Sequence, residues 1–248
     1  MPSNPLTTAA MRRYLGARTG TVAVAVEDLD DPTTRGDTVN DSYKEWLLNP
    51  GARVQTASIV KVDILETLLH SAAGPLTGSA TAVADGMIEQ SDNDDATALW
   101  NVAGGAAGIG AYNRLAGLTQ TTPNIPGYWG ETLTSAADQI RLLGQLVMPS
   151  RLLSAEARRY GLGLMENIAP GQKWGVTSGV PADVTVALKN GWVPLTDDSD
   201  WEINSIGWVH GGGRDYLIAV LTAHDPSEQY GIDTVDRVSS LIFADLRR

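Results

Sequence analysis

Segments with strand-like character lie near both ends of the sequence, and a long helical stretch separates them. Residues 21–26 alternate valine with small side chains, and residues 185–189, 202–209 and 216–221 are again rich in β-branched and aromatic side chains. Between them, residues 58–166 mostly show the spacing of apolar side chains that is typical of helices. Because strands must pair, the two ends of the chain are expected to meet in one sheet.

This element order predicts an α+β fold, in the form of an α/β sandwich. We expect an antiparallel sheet flanked by N- and C-terminal helices, with an all-helical lobe inserted between the strands. A chain of 248 residues is long enough to bury a sizeable core. We predict a single domain over residues 1–248, with an α/β lobe formed by residues 1–57 and 167–248 and a helical lobe formed by residues 58–166.

Local signals predict the limits of the individual elements. Thr134 is a candidate N-cap for a helix over residues 135–147, and Ser154 caps a helix that we expect to end at Gly161. Periodicity and turn residues indicate the remaining elements. These are helices at about residues 7–17, 80–89, 96–102, 109–116 and 232–246, a strand at residues 42–48 and a turn region at residues 28–41.

Composition excludes several classes of partner and chemistry. A net charge of -11 argues against nucleic acids and anionic membranes, because both require a basic surface. The chain has no cysteine, which excludes disulfides and thiol catalysis, and its three histidines form no metal-ligand pair at helical spacing. We therefore predict no metal and no cofactor, a small-molecule substrate, and a monomer.

The sequence also bears on location. No window has the length and apolar character of a membrane span, and the first residues lack the apolar core of an export signal. These features predict a cytoplasmic location, or an exported one if a leader has been removed.

The most unusual helical segment carries a serine and a lysine within a largely apolar sequence. Apolar side chains cover more than one face of residues 59–69, which predicts a buried helix. Lys61 follows Ser58 by three residues, so the two side chains share one face. A buried amine has a lowered pKa and can act as a base for a serine hydroxyl. The alternative is a serine N-cap followed by a lysine whose amine reaches water.

Two further motifs follow in order along the chain. Ser91-Asp92-Asn93 precedes a predicted helix, and Lys189-Asn190-Gly191 ends a predicted strand. Each also has a purely structural explanation. Asp92 is expected to cap the next helix, and Asn190-Gly191 is typical of a tight turn.

Two glycine-rich segments suggest other enzyme families. His210-Gly211-Gly212-Gly213 is similar to the oxyanion loop of α/β-hydrolases, but the chain contains no G-x-S-x-G motif to accompany it. We predict that this segment is the turn of a β-hairpin. The glycines of residues 104–110 follow no strand and have the wrong order for a dinucleotide site.

Taken together, Ser58-x-x-Lys61, Ser91-Asp92-Asn93 and Lys189-x-Gly191 resemble the three signatures of the serine β-lactamases and penicillin-binding proteins. The order of the motifs and of the secondary-structure elements is most similar to the class A β-lactamases. The resemblance covers essentially the whole chain.

The resemblance implies a role for each motif residue. Ser58 is the acyl-accepting nucleophile and Lys61 its base, while Ser91 passes a proton to the leaving group. Asn93 would bind Lys61 or a substrate amide, and Lys189 would bind a substrate carboxylate or Ser91. Gly191 would allow the substrate to approach closely, and the backbone N–H groups of Ser58 and Trp192 would form the oxyanion hole.

The sequence departs from the class A pattern in the segment that hydrolyses the acyl-enzyme. The family uses a glutamate in a Glu-x-x-x-Asn context to activate water, but residues 119–132 contain no acid before Glu131, and no asparagine follows Glu131 at that spacing. Asn190 replaces a hydroxyl residue of the family, and Trp192 replaces a small one. The strand at residues 202–209 carries no arginine to bind a substrate carboxylate.

These departures favour an enzyme that forms an acyl-Ser58 intermediate and releases the acyl group slowly to water. We predict a serine hydrolase or transacylase with an acyl donor and an amine or alcohol acceptor, and poor lactam hydrolysis. Two alternatives remain open. One is a genuine β-lactamase or D-alanyl-D-alanine peptidase, and the other is a non-catalytic module that binds peptidoglycan or a lactam.

Overall fold

The structure is a computed structural model that describes residues 4–29, 44–124, 128–195 and 200–246. Most of the predicted turn region at residues 28–41 and the start of the predicted strand at residues 42–48 lie outside these ranges. The strands are β1 (Thr21–Asp28), β2 (Lys44–Leu48), β3 (Val54–Gln55), β4 (Leu133–Thr134), β5 (Thr185–Pro194), β6 (Trp201–Gly211) and β7 (Arg214–Ala223). The helices are α1 (Ala9–Leu15), α2 (Val60–Ala72), α3 (Ser79–Glu89), α4 (Asn93–Val102), α5 (Gly105–Ala116), α6 (Ala136–Val147), α7 (Ala155–Glu166) and α8 (Glu228–Asp245).

The main sheet joins the two ends of the chain, as predicted. Its strand order is β2-β1-β7-β6-β5, and every neighbouring pair is antiparallel. The alternating valines and alanines of β1 pair with β7, with Val24 opposite Val220. Helix α8 packs on β6 and β7, and α6 packs on β1 and β7. The mixed helical and antiparallel fold class is therefore the one that the sequence predicts, while the division into two lobes stays a prediction.

The glycine-rich segment after His210 is the turn of a β-hairpin, which confirms the prediction. Strand β6 ends at Gly211 and β7 begins at Arg214. Gly212 and Gly213 between them have φ values of +60° and +75°, a region that glycine adopts without steric cost.

Several predicted helix limits were wrong. Helices α4, α5 and α8 begin three or four residues earlier than predicted. Ser135, not Thr134, caps α6, because its hydroxyl accepts a hydrogen bond from the backbone N–H of Asp138. Helix α7 continues past Gly161 to Glu166. A Cβ atom on Gly161 would lie 2.8 Å from Leu146 Cδ2, so the glycine permits close packing of α7 on α6 and does not end the helix.

Helix α2 is buried among the other helices of the middle segment. It packs against α3, α4, α5, α6 and α7, and Val62, Ile64 and Leu65 on it are fully buried. Burial on several sides explains why its sequence has no broad polar face. Within the described ranges, no helix combines the length and apolar character needed to cross a bilayer.

Candidate active site

Ser58 lies in a short 3₁₀ turn, Ala57–Ile59, that leads directly into α2. The sequence predicts that Ser58 opens the helix, and the structure places it in this turn just before the helix. Ala57 has a φ of +45°, which is uncommon for a residue with a side chain. Strained backbone of this kind is concentrated at functional sites.

Strand β5 passes very close to the Ser58 turn. A Cβ atom on Gly191 would lie 2.7 Å from the Ser58 backbone nitrogen and 2.7 Å from the Thr56 carbonyl oxygen. Any other residue at position 191 would therefore push β5 away from Ser58. This contact is the physical reason for a glycine after Lys189-Asn190.

Lys61 is fully buried and makes three polar contacts. Its amine donates to the Ser91 carbonyl oxygen at 2.6 Å, to Ser91 Oγ at 3.1 Å and to Asn93 Oδ1 at 2.8 Å. Burial lowers the pKa of the Lys61 amine to about 8, although the carboxylates of Asp92 and Asp95 act in the opposite direction. A substantial fraction of this amine is therefore neutral near physiological pH.

Ser91 connects Lys61 to the second lysine of the site. It lies between α3 and α4 with a φ of +58°, and its hydroxyl also accepts a hydrogen bond from Lys189 Nζ at 2.9 Å. Asp92 caps α4 by accepting from the Asp95 backbone N–H at 2.9 Å, as predicted. Helix α4 begins at Asn93, and this start directs the Asn93 side chain to Lys61.

Lys189 is fully buried on β5. Its amine donates to the Asn190 carbonyl oxygen at 3.1 Å as well as to Ser91. Burial, and to a smaller extent the charge of Lys61, lowers the pKa of Lys189 well below its ordinary value. The Asn190 side chain points away from this amine and donates to the carbonyl oxygens of Gln172 and Trp174.

A cavity of about 440 Å³ opens beside Ser58. Asn93 and Trp192, two of the predicted substrate-binding residues, lie in its wall. The structure thus brings all seven predicted site residues together, through hydrogen bonds, packing of the Ser58 turn on β5, or a shared cavity. The wall consists of Ala57, Ser58, Asn93, Thr97, Tyr128, Trp129, Gly130, Glu131, Trp192 and Val193.

Trp129 also lines the site, although it was not predicted from the sequence. Its ring centroid lies 5.1 Å from Lys61 Nζ, and its indole N–H donates to Thr97 Oγ1 at 3.1 Å. A cation above an aromatic ring at this distance is attracted to it. The position of Trp129 in the segment matched to the family's water-activating loop was the one signal that could have identified it.

Glu131 lines the same cavity, but it does not reach Lys61 by a hydrogen bond. Its carboxylate accepts from Asn124 Nδ2 at 2.7 Å. Within the described ranges, the hydrogen-bond partners of Lys61 are Ser91 and Asn93 only, and neither is an acid. An indole, not a carboxylate, therefore covers this side of the lysine.

Comparisons with known proteins agree with this fold. A sequence model described as the beta-lactamase enzyme family matches residues 67–246. Proteins described as "Putative lipoprotein LppW" from Mycobacterium tuberculosis and Mycobacterium bovis are 31% identical over 176 residues. The match covers 67% of this chain and 55% of each relative, so the chain spans about half the length of these relatives.

Solved structures show a similar fold at low sequence identity. A class A beta-lactamase from Bacteroides cellulosilyticus has a TM-score of 0.80 at 18% identity and covers 95% of both chains. The TLA-1 extended-spectrum beta-lactamase has a TM-score of 0.82 at 16% identity over 100% of both chains. A beta-lactamase from Chitinophaga pinensis has a TM-score of 0.77 at 20% identity and covers 95% of this chain and 97% of its own.

Proposed function

Because the chain belongs to the beta-lactamase enzyme family, we propose that it is a serine hydrolase or transacylase that works through an acyl-Ser58 intermediate. The observation that carries the proposal is the chain of contacts from Lys61 through Ser91 to Lys189, adjacent to the Ser58 turn and its cavity. A serine hydroxyl needs such a base to become a nucleophile at neutral pH.

Acylation follows from these groups. Neutral Lys61 accepts the Ser58 hydroxyl proton as Ser58 Oγ attacks the carbonyl carbon of the acyl donor. The backbone N–H groups of Ser58 and Trp192 bind the oxygen on which negative charge develops. The proton then moves from Lys61 through the Ser91 hydroxyl to the leaving group as the bond to that group breaks. The products are acyl-Ser58 and a protonated leaving group.

Release of the acyl group to water is expected to be slow. Trp129 covers Lys61 where a carboxylate would be needed to activate water, and Glu131 is hydrogen-bonded to Asn124 instead. Asn190 offers no hydroxyl to a substrate carboxylate, and its amide is engaged with Gln172 and Trp174. An amine or alcohol acceptor can therefore compete with water for the acyl group, and lactams are poor substrates.

One observation favours the alternative of a genuine β-lactamase or D-alanyl-D-alanine peptidase. Glu131 lines the same cavity as Ser58 and is paired with an asparagine, as is the family's water-activating glutamate. If Glu131 activates water, then lactam turnover will be efficient and will depend on this residue.

Intact-protein mass spectrometry after exposure to penicillin and to p-nitrophenyl acetate separates these functions. A persistent adduct that is absent in Ser58→Ala supports slow acyl release. Rapid nitrocefin turnover that is lost in Glu131→Gln supports the β-lactamase alternative. No adduct and no turnover would contradict both enzyme proposals and favour a non-catalytic module that binds peptidoglycan or a lactam.

We also propose an exported location. This corresponds to the second of the two locations predicted from the sequence, in which a leader has been removed. The support is the description of the mycobacterial relatives as putative lipoproteins. Fractionation of cells of the source organism, followed by immunodetection, tests this location. Recovery in the soluble cytoplasmic fraction would contradict it.

A further inference from the structure

The cavity beside Ser58 has aromatic walls. Trp129 and Trp192 line it together with Tyr128, whose side chain is exposed. Thr97 fixes the Trp129 indole through a hydrogen bond, and Trp174 packs edge-on against Trp192 with ring centroids 5.9 Å apart. The Trp129 and Trp192 rings are therefore fixed aromatic surfaces in the cavity wall.

Glu131 contributes a carboxylate to the wall of this cavity. Glu131 is the one acidic residue among the described residues that line the cavity. No lysine or arginine is among them. In the described part of the chain, no cationic side chain forms an ion pair with Glu131, and Asn124 contacts only one of its two oxygens. The other oxygen is available to a ligand.

We assign the cavity to the acyl side of Ser58 from the residues that line it. Ser91, which passes the proton to the leaving group in the proposed mechanism, is not part of its wall, and neither is Lys189, which donates to Ser91. Asn93, which can bind a substrate amide, is part of it. A group bound in this cavity therefore stays attached to Ser58 when the leaving group departs.

We propose that the enzyme selects acyl groups that carry an ammonium cation on an apolar body, bound between the aromatic walls and the Glu131 carboxylate. Aromatic faces attract ammonium cations, and a carboxylate at the same cavity adds a direct electrostatic attraction. The inference rests on the proposed function, since it assigns the acyl donor of the same Ser58 reaction. It also implies that donors with an anionic acyl group are disfavoured.

Three p-nitrophenyl esters with equal chain length test this charge selection. Their acyl groups are 4-(trimethylammonio)butanoate, which is cationic, 5,5-dimethylhexanoate, its neutral tert-butyl isostere, and glutarate, which is anionic. We expect kcat/KM for acylation to favour the cationic ester over the neutral one by about 5- to 20-fold, with the anionic ester slowest. Added salt should slow the cationic ester more than the neutral ester.

Two variants assign the preference to the cavity. Glu131→Gln should lower the cationic-to-neutral ratio by about three- to fivefold. Trp192→Leu should also lower this ratio, because leucine packs against a tert-butyl group but offers no aromatic face to a cation. The matched control is Glu156→Gln, which removes an exposed carboxylate on α7 and should leave the ratio unchanged.

The outcomes separate this inference from the proposed function. If Ser58 is acylated but the neutral or anionic ester is preferred, the charge selection is wrong and the acyl-enzyme mechanism stands. If no ester acylates Ser58, the proposed function fails. In that case, the binding affinities of the N-methyl amides of the three acids, measured by quenching of tryptophan fluorescence, still test the charge selection. Equal or weaker binding of the cationic amide than of the neutral amide would overturn it.

Discussion

Helix α2 carries buried ionisable side chains in two different surroundings. Lys61 is fully buried beside the Ser58 turn, and Asp63 and Glu66, one helical turn apart on another part of the helix, are 2% and 0% exposed. Asp63 accepts a hydrogen bond from Asn113 Nδ2 at 2.9 Å, and Glu66 accepts one from the Tyr112 hydroxyl at 2.7 Å. The two regions thus share a helix and a degree of burial.

The regions differ in how their polar atoms are satisfied. The Lys61 amine has three hydrogen-bond partners, which matches its three protons when it is charged. Asp63 Oδ1 and Glu66 Oε1 have no partner among the described residues, and neither acid lines the cavity beside Ser58. Burial disfavours the charged form in both regions, so it raises the pKa of Asp63 to about 7 and raises that of Glu66 well above its usual range.

This comparison shows that burial of an ionisable group does not by itself identify a catalytic residue. Burial favours the neutral, protonated form of Asp63 and Glu66, and we interpret these two acids with Asn113 and Tyr112 as a structural cluster. Lys61 has a pKa of about 8, contacts the Ser91 hydroxyl, and lies one helical turn after Ser58. Lys61 differs from these acids in its hydrogen bonds to Ser91 and to Asn93, since Asn93 lines the cavity beside Ser58.

The largest expected effect is loss of acylation on replacement of Lys61. Lys61→Met keeps the apolar stem but removes the base, so the rate of Ser58 acylation by p-nitrophenyl acetate should fall by about 10²–10⁴-fold. Stopped-flow release of p-nitrophenol measures this rate. Asp63→Asn on the same helix is the control and should acylate at the wild-type rate. Equal losses in both variants would contradict the distinction between the two regions.

Asp63→Asn should instead increase stability at high pH. The folded protein holds the Asp63 proton up to a pH of about 7, whereas the unfolded chain loses it near pH 4. The unfavourable contribution of Asp63 therefore grows as pH rises from about 4 to 7 and is constant above this range. We expect the variant to raise the free energy of unfolding by about 2–4 kcal/mol at pH 8 and by little below pH 4.

Urea unfolding of the wild type and Asp63→Asn across this pH range measures the difference. A gain in stability that did not vary with pH would contradict the assignment. The groups that act on Asp63 are Asn113 on α5, which lowers its pKa, and Asp138 on α6, which raises it.

Tyr112→Phe tests the second acid of the cluster. It removes the hydroxyl that donates to Glu66 and leaves a buried oxygen without a partner, which should cost about 1–3 kcal/mol of folding free energy. Thermal or urea unfolding at pH 6 measures this loss. Acylation of Ser58 in the folded fraction should be unaffected, and a large fall in its rate would show that the cluster serves the reaction.

The smallest predicted effect concerns the pH profile of the reaction. The acylation rate should rise with pH and reach half of its maximum near pH 8, as the Lys61 amine becomes neutral. Asp92→Asn removes a carboxylate that raises the pKa of Lys61, and asparagine is an equally good N-cap. The profile should therefore shift to lower pH in this variant. A shift to higher pH would contradict the role of Lys61 as the base.

The sequence was sufficient to predict the main sheet and the helical middle, because these depend on periodicity. The seven motif residues were identified through a family resemblance; the structure brings them together, and their roles stay a proposal. The positions of Trp129 and of the Asn190 side chain could not be predicted in the same way. Both depend on contacts between distant segments, with Thr97 in the first case and with Gln172 and Trp174 in the second. Gly161 was misread because a helix end and a close helix contact both favour glycine.

The most direct test of the account is the time course of p-nitrophenol release when excess p-nitrophenyl acetate is mixed with the protein. We predict a burst stoichiometric with the protein, followed by a slower steady phase that an amine acceptor accelerates. The burst should be absent in Ser58→Ala. A linear release with no burst, or a burst that persists in Ser58→Ala, would contradict an acyl-Ser58 intermediate with slow release to water.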